Sequence, residues 1–291
     1  MVICRTIEEL KRELTRLEAG SRVVGFVPTM GYLHEGHASL LRAAREQTDI
    51  VVLSVFVNPL QFGPQEDLDR YPRNEEGDIA VAEQCGADIV FMPSVGEMYP
   101  QQPLTSVKIG ELTNRLCGAS RPGHFDGVGT VVSKLFHLVK PNKAYFGMKD
   151  AQQVAVIEQM VRDLNIDVEI VRCPTLREPD GLALSSRNVY LSADLRRQAV
   201  VLFQALELAD GWIKDESIRA GELVRMVEGH IAGAKDARID YVELLWYPSL
   251  LDLPPDKPLS GLEGTVILAM AVKFGDTRLI DNRLYDLSGG E

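Results

Sequence analysis

Two apolar runs with no polar alternation set the kind of fold open to this chain. Val23-Val24-Gly25-Phe26-Val27 and the β-branched stretch from Asp49 to Val57 each read as a strand buried on both faces. A turn and a helical pattern through Leu40, Leu41 and Ala44 separate them. Strand, helix, strand in that order predicts a parallel pair bridged by a packed helix. The alternation continues. Asn74 to Gln84 reads as helix, Ile89 to Met92 as strand, and Val128, Val131, Leu135 and Leu138 share a helical face. Lys143 to Phe146 reads as strand, Val154, Ile157, Val161 and Leu164 as helix, and Val168 to Cys173 as strand. The expected fold class is therefore α/β, a Rossmann-like doubly wound parallel sheet.

The first element precedes these runs. Thr6 and Glu9 fit a capping box, Ile7, Leu10, Leu14 and Leu17 keep helical spacing, and Gly20 is expected to end that helix. Pro28 is expected to close the first strand. The pattern changes after Arg172, and the domain boundary is expected near residue 176. Arg177 to Asn188 is polar and turn-rich, and Ser192 reads as the cap of a helix carrying Ala199, Leu202, Leu206, Ala209 and Ile213. A helix from Ile218 to Ala232 and strands Ile239–Leu245 and Val266–Val272 follow. This predicts residues 1–176 as a Rossmann-like domain and 177–291 as a smaller α+β domain.

Composition narrows the function classes. The formal charge of −11 disfavours nonspecific nucleic-acid binding. The four cysteines are widely spaced with no C-x-x-C, so reduced thiols are expected rather than a zinc ribbon or disulfide framework. The amino terminus has no signal-peptide pattern, and no run approaches the ~18 apolar residues of a membrane span. A cytoplasmic protein without a membrane partner is the expectation.

In an open parallel sheet, ligands bind at the carboxyl ends of strands. The first such end carries Pro28-Thr29-Met30-Gly31-Tyr32-Leu33-His34-Glu35-Gly36-His37. Two imidazoles three residues apart share one face of the helix that starts there, and the helix amino terminus adds N–H donors and partial positive charge. Imidazoles, amides and glycines together suit a polyphosphate. Zinc is the weaker reading, because no third ligand stands nearby. The second strand end carries Asn58-Pro59-Leu60-Gln61-Phe62-Gly63, whose amides suit a small polar acid, although by itself it reads as a plain turn. A third cluster, Gly147-Met148-Lys149-Asp150-Ala151-Gln152-Gln153, offers an ammonium for phosphate, with Asp150 also suited to helix capping. Leu184-Ser185-Ser186-Arg187-Asn188 offers two hydroxyls and a guanidinium as a phosphate clamp, or an ordinary loop. Neither a Walker A loop nor G-x-G-x-x-G is present.

Taken together, Pro28–His37, Phe56–Gly63, Asp67–Arg73, Arg121–Val128, Phe146–Gln153 and Ser185–Asn188 resemble the pantothenate synthetases in order and separation. The resemblance spans nearly the whole chain, with little motif after residue 200. It implies a nucleotidyltransferase-superfamily ATP domain, a carboxyl-terminal lid domain and a homodimer. It also implies magnesium-dependent joining of pantoate to β-alanine through a pantoyl-adenylate. By this resemblance Met30, Gly31, Tyr32, Leu33, His34, Glu35, Gly36 and His37 line the ATP site, with His37 as the charge-stabilising imidazole. Gly147, Met148, Lys149, Asp150, Leu176, Leu184, Ser185, Ser186 and Arg187 complete the nucleotide site. Gln61 contacts pantoate and β-alanine, Gln153 contacts pantoate, and Asp78 is the magnesium candidate. Met148, Leu184 and Leu176 depart from the usual family residues, which matters little where the contact is through backbone. Two other readings use the same core: a nucleotidyltransferase acting on another acceptor, and a nonenzymatic nucleotide sensor.

Overall fold

The computed structural model describes residues 1–17, 22–64, 66 and 68–288. Gly20 and Asp67, both named above, lie outside those residues. The chain divides into two units. One comprises Met1–Glu111, Arg121–Met148 and Val156–Leu176; the other comprises Leu112–Ser120, Lys149–Ala155 and Arg177–Glu291.

The β-branched runs of the first unit form a parallel sheet. Its strands are β1 (Val2–Cys4), β2 (Val24–Thr29), β3 (Ile50–Val55), β4 (Ile89–Phe91), β5 (Lys143–Gly147) and β6 (Glu169–Cys173), in the order β1-β4-β3-β2-β5-β6. Winding runs from β2 outward through β3 and β4 on one side and from β5 to β6 on the other. The switch point therefore falls between β2 and β5, where such sheets open a crevice at the carboxyl edge. Val24↔Ile50 through Thr29↔Val55 are in register, so the turns that leave β2 and β3 emerge on the same edge.

Helices α1 (Ile7–Leu17), α2 (Glu35–Gln47), α3 (Glu75–Gln84), α4 (Val95–Met98), α5 (Leu116–Ser120), α6 (His124–Val139) and α7 (Ala151–Asp163) follow in chain order. The capping box expected for α1 is present. Thr6 Oγ1 accepts from the Glu9 N–H, and the Thr6 N–H donates to Glu9 Oε2, both at 3.1 Å. On one face of the sheet, Ala38, Leu41 and Ala44 of α2 and Ala82 of α3 pack on Val27, Val51, Leu53 and Val90. On the other, α6 packs against α1 and β2, with Phe26 and Phe136 edge to face at 6.3 Å.

Pro28 does not close β2, which continues to Thr29 opposite Ser54 and Val55. Pairing of β2 with β5 is recorded only at Gly25 and Phe26, so a residue without an N–H is tolerated beyond that point. The three-residue edge strand β1 is too short to show as a pattern in the sequence.

The second unit is built on an antiparallel sheet of β7 (Ala237–Trp246), β8 (Thr265–Phe274) and β9 (Thr277–Asp286), in that order. Helices α8 (Ala193–Ala199), α9 (Val201–Trp212) and α10 (Ala220–Ile231) precede it. Leu202, Leu206, Leu223 and Val227 pack on Val242, Leu244, Leu268 and Met270. The single helix expected after Ser192 is divided at Val200, which ends α8 and begins α9. β9 was not expected, because Arg278, Asp281 and Arg283 interrupt its apolar alternation.

All four cysteines are buried thiols, as expected. Among the described residues no helix is long and apolar enough to cross a membrane.

Candidate active site

The β2–α2 turn is built by its own sequence. Gly31 and Tyr32 adopt φ values of 85° and 52°, two successive left-handed residues that reverse the chain. His34 caps α2: its Nδ1 accepts from the Gly36 N–H at 3.1 Å, and its own N–H donates to His37 Nδ1 at 3.3 Å. Both Nδ1 atoms are therefore acceptors, so each neutral ring carries its proton on Nε2 as a donor. The two ring centroids are 4.1 Å apart. The sequence spacing thus yields two adjacent donors, their rings tilted by 40°, at a helix amino terminus.

Asp78, from α3, supports this turn. Its Oδ1 accepts from the Leu33 N–H at 2.6 Å and its Oδ2 from the Tyr32 N–H at 3.1 Å, while the residue is only 3% exposed. Burial pushes its carboxyl above the ordinary range, against the two backbone bonds that pull it down. Among the described residues no three His, Cys, Asp or Glu side chains stand close enough to hold a metal ion. Asp78, expected as the magnesium residue, is thus not part of a protein cage of three such ligands.

The β3 end places its amides in a chain of bonds with one direction. Asn58 is 1% exposed. Its Oδ1 accepts from the Leu60 N–H at 3.3 Å and from the Tyr99 hydroxyl at 3.0 Å. Its Nδ2 donates to the Gly127 carbonyl at 3.1 Å and to Gln61 Oε1 at 3.2 Å. The Leu60 N–H can only donate and the Gly127 carbonyl can only accept, so the Asn58 amide has one orientation. Gln61 then turns its Nε2 toward Met30 Sδ, 3.1 Å away. The structure thus brings together Met30 and Gln61, from two turns separated in sequence. Asn58, also expected to contact substrate, has each amide atom engaged by protein groups.

Sequence reading gave no role to the residues around Gln61. Arg121 donates through Nε to Glu66 at 2.8 Å and contacts His124, and His124 Nδ1 bonds the Gln61 carbonyl at 2.8 Å. Burial alone would raise the Glu66 carboxyl, but the Arg121 fork overcomes it and holds it below the usual range. Gly127 carries no side chain because a Cβ there would lie 2.3 Å from the Leu60 carbonyl oxygen. Tyr99, buried, has its hydroxyl pushed up to about 12 by burial, so it remains a donor at neutral pH. Arg121–Val128 was quoted only as a family stretch, and a lone tyrosine gives no signal.

Gly147 and Met148 lie at the carboxyl end of β5, half-buried. In the second unit Lys149 is half-buried and Asp150 exposed, and the Lys149 carbonyl accepts from Asn282 Nδ2 at 2.8 Å. Gln153 is half-buried. Its neighbour Gln152 is buried, donating to the Leu112 and Arg115 carbonyls at 2.8 Å each. Leu176, the last residue of the first unit, is 36% exposed. Leu184 is half-buried, Ser185 Oγ accepts from the Arg187 N–H at 3.3 Å, and Ser186 is buried. Asn188 Nδ2 donates to the Ala183 carbonyl at 3.1 Å, closing this loop on itself.

A doubly wound parallel sheet, with two imidazole donors at the helix that leaves its switch point, defines an α/β enzyme of the nucleotide-handling class. The model of the pantoate-beta-alanine ligase family matches residues 2–284. Pantothenate synthetase of Caldicellulosiruptor saccharolyticus is 53% identical over 287 residues, covering 99% of this chain and 100% of that protein. That of Geobacillus thermodenitrificans is 52% identical, covering 99% and 97%. The crystal structure of pantothenate synthetase from Thermus thermophilus superposes with a TM-score of 0.89 at 45% identity, covering 99% of this chain and 100% of that one. The pantoate-beta-alanine ligase of Francisella tularensis, complexed with β-γ ATP and β-alanine, gives a TM-score of 0.79 at 34% identity, covering 100% and 99%. The chain belongs to the pantoate-beta-alanine ligase family.

Proposed function

We propose that this chain joins pantoate to β-alanine at the expense of ATP, giving pantothenate, AMP and pyrophosphate. The observation that carries this is the arrangement at the carboxyl edge of the first unit: two Nε2 donors at the start of α2 and, on the turn that leaves the adjacent strand β3, a Gln61 amide of fixed direction that meets Met30. The pantoate carboxylate attacks the α-phosphorus of ATP in line, and pyrophosphate leaves with the bridging electron pair. The β-alanine amine then attacks the acyl carbon of the pantoyl-adenylate, loses a proton, and AMP departs. Such chemistry rests on positioning and charge stabilisation.

In this reading Met30–His37, Gly147–Asp150, Leu176 and Leu184–Arg187 serve the nucleotide, with His34, His37, Lys149 and Arg187 offsetting charge on the phosphates. Gln61 and Gln153 hold pantoate, and Asn58 acts through Gln61. Gln61 also meets β-alanine. The magnesium belongs to the triphosphate as its counter-ion rather than to a protein cage. Residues 1–176 and 177–291 serve as ATP and lid domains of a cytoplasmic homodimer.

The test supplies pantoate, β-alanine and ATP together, then each pair alone. AMP, pyrophosphate and an amide product are expected only with all three beyond a single turnover. A dinucleotide product, or ATP binding with no turnover, would contradict the ligase reading.

A further inference from the structure

The β2–α2 turn is an unusual piece of backbone. Gly31 and Tyr32 are both left-handed, and Tyr32 carries a bulky side chain in that region. Such a conformation persists only where its surroundings hold it. The two consecutive N–H groups of Tyr32 and Leu33 converge on one carboxylate, that of Asp78, at 3.1 and 2.6 Å. The contact is close from both sides. A Cβ added to Gly31 would lie 2.9 Å from Asp78 Oδ2 and 2.9 Å from a Val55 methyl. Leu33 directly precedes His34, and His34 sets His37 through the N–H to Nδ1 bond.

We propose that Asp78 is a positioning residue for the reaction: its carboxylate holds the left-handed turn 31–33 and thereby aims His34 and His37, and it does not ligate the metal. The proposal rests on the ligase reading for its kinetic consequences, but its structural half stands without it. Both carboxylate oxygens face backbone donors, the residue is buried, and among the described residues it belongs to no group of three metal-ligating side chains. Nothing in the sequence shows this, because Glu75, Glu76 and Asp78 read as ordinary acidic residues in the first turn of a helix.

Asp78→Asn separates the two roles. Its amide accepts one N–H but turns a donor toward the other. Pantoate-dependent pyrophosphate release is expected to fall by about tenfold or more, because misplaced reacting groups cost rate steeply. The magnesium concentration for half-maximal rate and the β-alanine KM are expected to stay within about twofold of wild type. Long-range proton–nitrogen NMR of the enzyme without substrates is expected to show both imidazoles as Nε2–H tautomers in wild type, with both Nδ1 signals shifted in the variant. Gly31→Ala perturbs the same turn while keeping a carboxylate at position 78, and is expected to shift the same signals; it serves should Asp78→Asn fail to fold. A raised magnesium requirement with full turnover at saturating magnesium would overturn the proposal in favour of a metal ligand. Unshifted imidazole signals would also overturn it, whatever the rate. If wild type releases no pyrophosphate, the ligase reading fails while those signals still decide the positioning role.

Discussion

The turns at the carboxyl edge of the first unit and the Leu184–Asn188 loop of the second are held in different ways. In the first, hydrogen bonds from distant parts of the chain reach the functional side chains or the turn that aims them. Asp78 holds the turn before His34, and Asn58, itself fixed by Tyr99 and Gly127, orients Gln61. In the second, two bonds fix backbone close by. Ser185 accepts from Arg187 two residues on, and Asn188 donates to Ala183 five residues back. The base of that loop is anchored, with Arg177 paired to buried Asp281 at 2.6 Å and bonded to the Gly181 carbonyl at 3.0 Å. The difference teaches that one region fixes the aim of side chains and the other fixes a backbone shape. The first suits charge stabilisation, which costs least when donors are preorganised.

The largest effect is expected where an aimed side chain is removed. His37→Ala is predicted to lower pantoate-dependent pyrophosphate release by roughly 100-fold, the scale of losing a strong preorganised donor. A near wild-type rate would remove His37 from this role and blunt the comparison. Next comes Gly127→Ala, which drives a methyl into the Leu60 carbonyl. Overpacking of this kind costs about 1–3 kcal/mol of stability. Thermal unfolding should show the loss, and the pantoate KM should rise as Gln61 is displaced. An unchanged Tm with unchanged KM would mean that the Asn58–Gln61 chain tolerates movement.

Ser185→Ala sharpens the contrast from the other region. Losing this local cap is expected to cost only about 0.5–1 kcal/mol in Tm measurements while the ATP KM rises. A larger stability loss than that of Gly127→Ala would show that this cap holds more than its own loop. The smallest effect concerns Glu66, whose carboxyl is held below its usual range by Arg121. A depressed folded pKa means its stabilisation is present above the unfolded value of ~4.3 and is lost as pH falls through the folded one. Wild type should therefore lose stability faster than Glu66→Gln on acidification below that range, and parallel curves would show that the pair contributes nothing.

The same contrast explains what the sequence reveals. His34 and His37 were legible because their partners are three residues apart, so helical periodicity alone predicts their shared face. The sheet was legible because strands buried on both faces leave continuous apolar runs. The Met30–Gln61 contact was not, since it depends on β2 and β3 emerging in register. Asp78, Tyr99 and Gly127 act across 41 to 69 residues of chain, and a single acid, phenol or glycine announces no partner at that distance. β9 stayed hidden for a related reason. Asp281 occupies an inward position there, and only its pairing with Arg177, over a hundred residues away, makes a buried carboxylate admissible.

The central claim is that the chain activates pantoate as an adenylate before the amine is used. Exchange of labelled pyrophosphate into ATP, measured with pantoate present and β-alanine absent, tests it directly. Pantoate-dependent exchange is the predicted result. No exchange until β-alanine is added, in an enzyme that makes the amide with all three substrates, would contradict it.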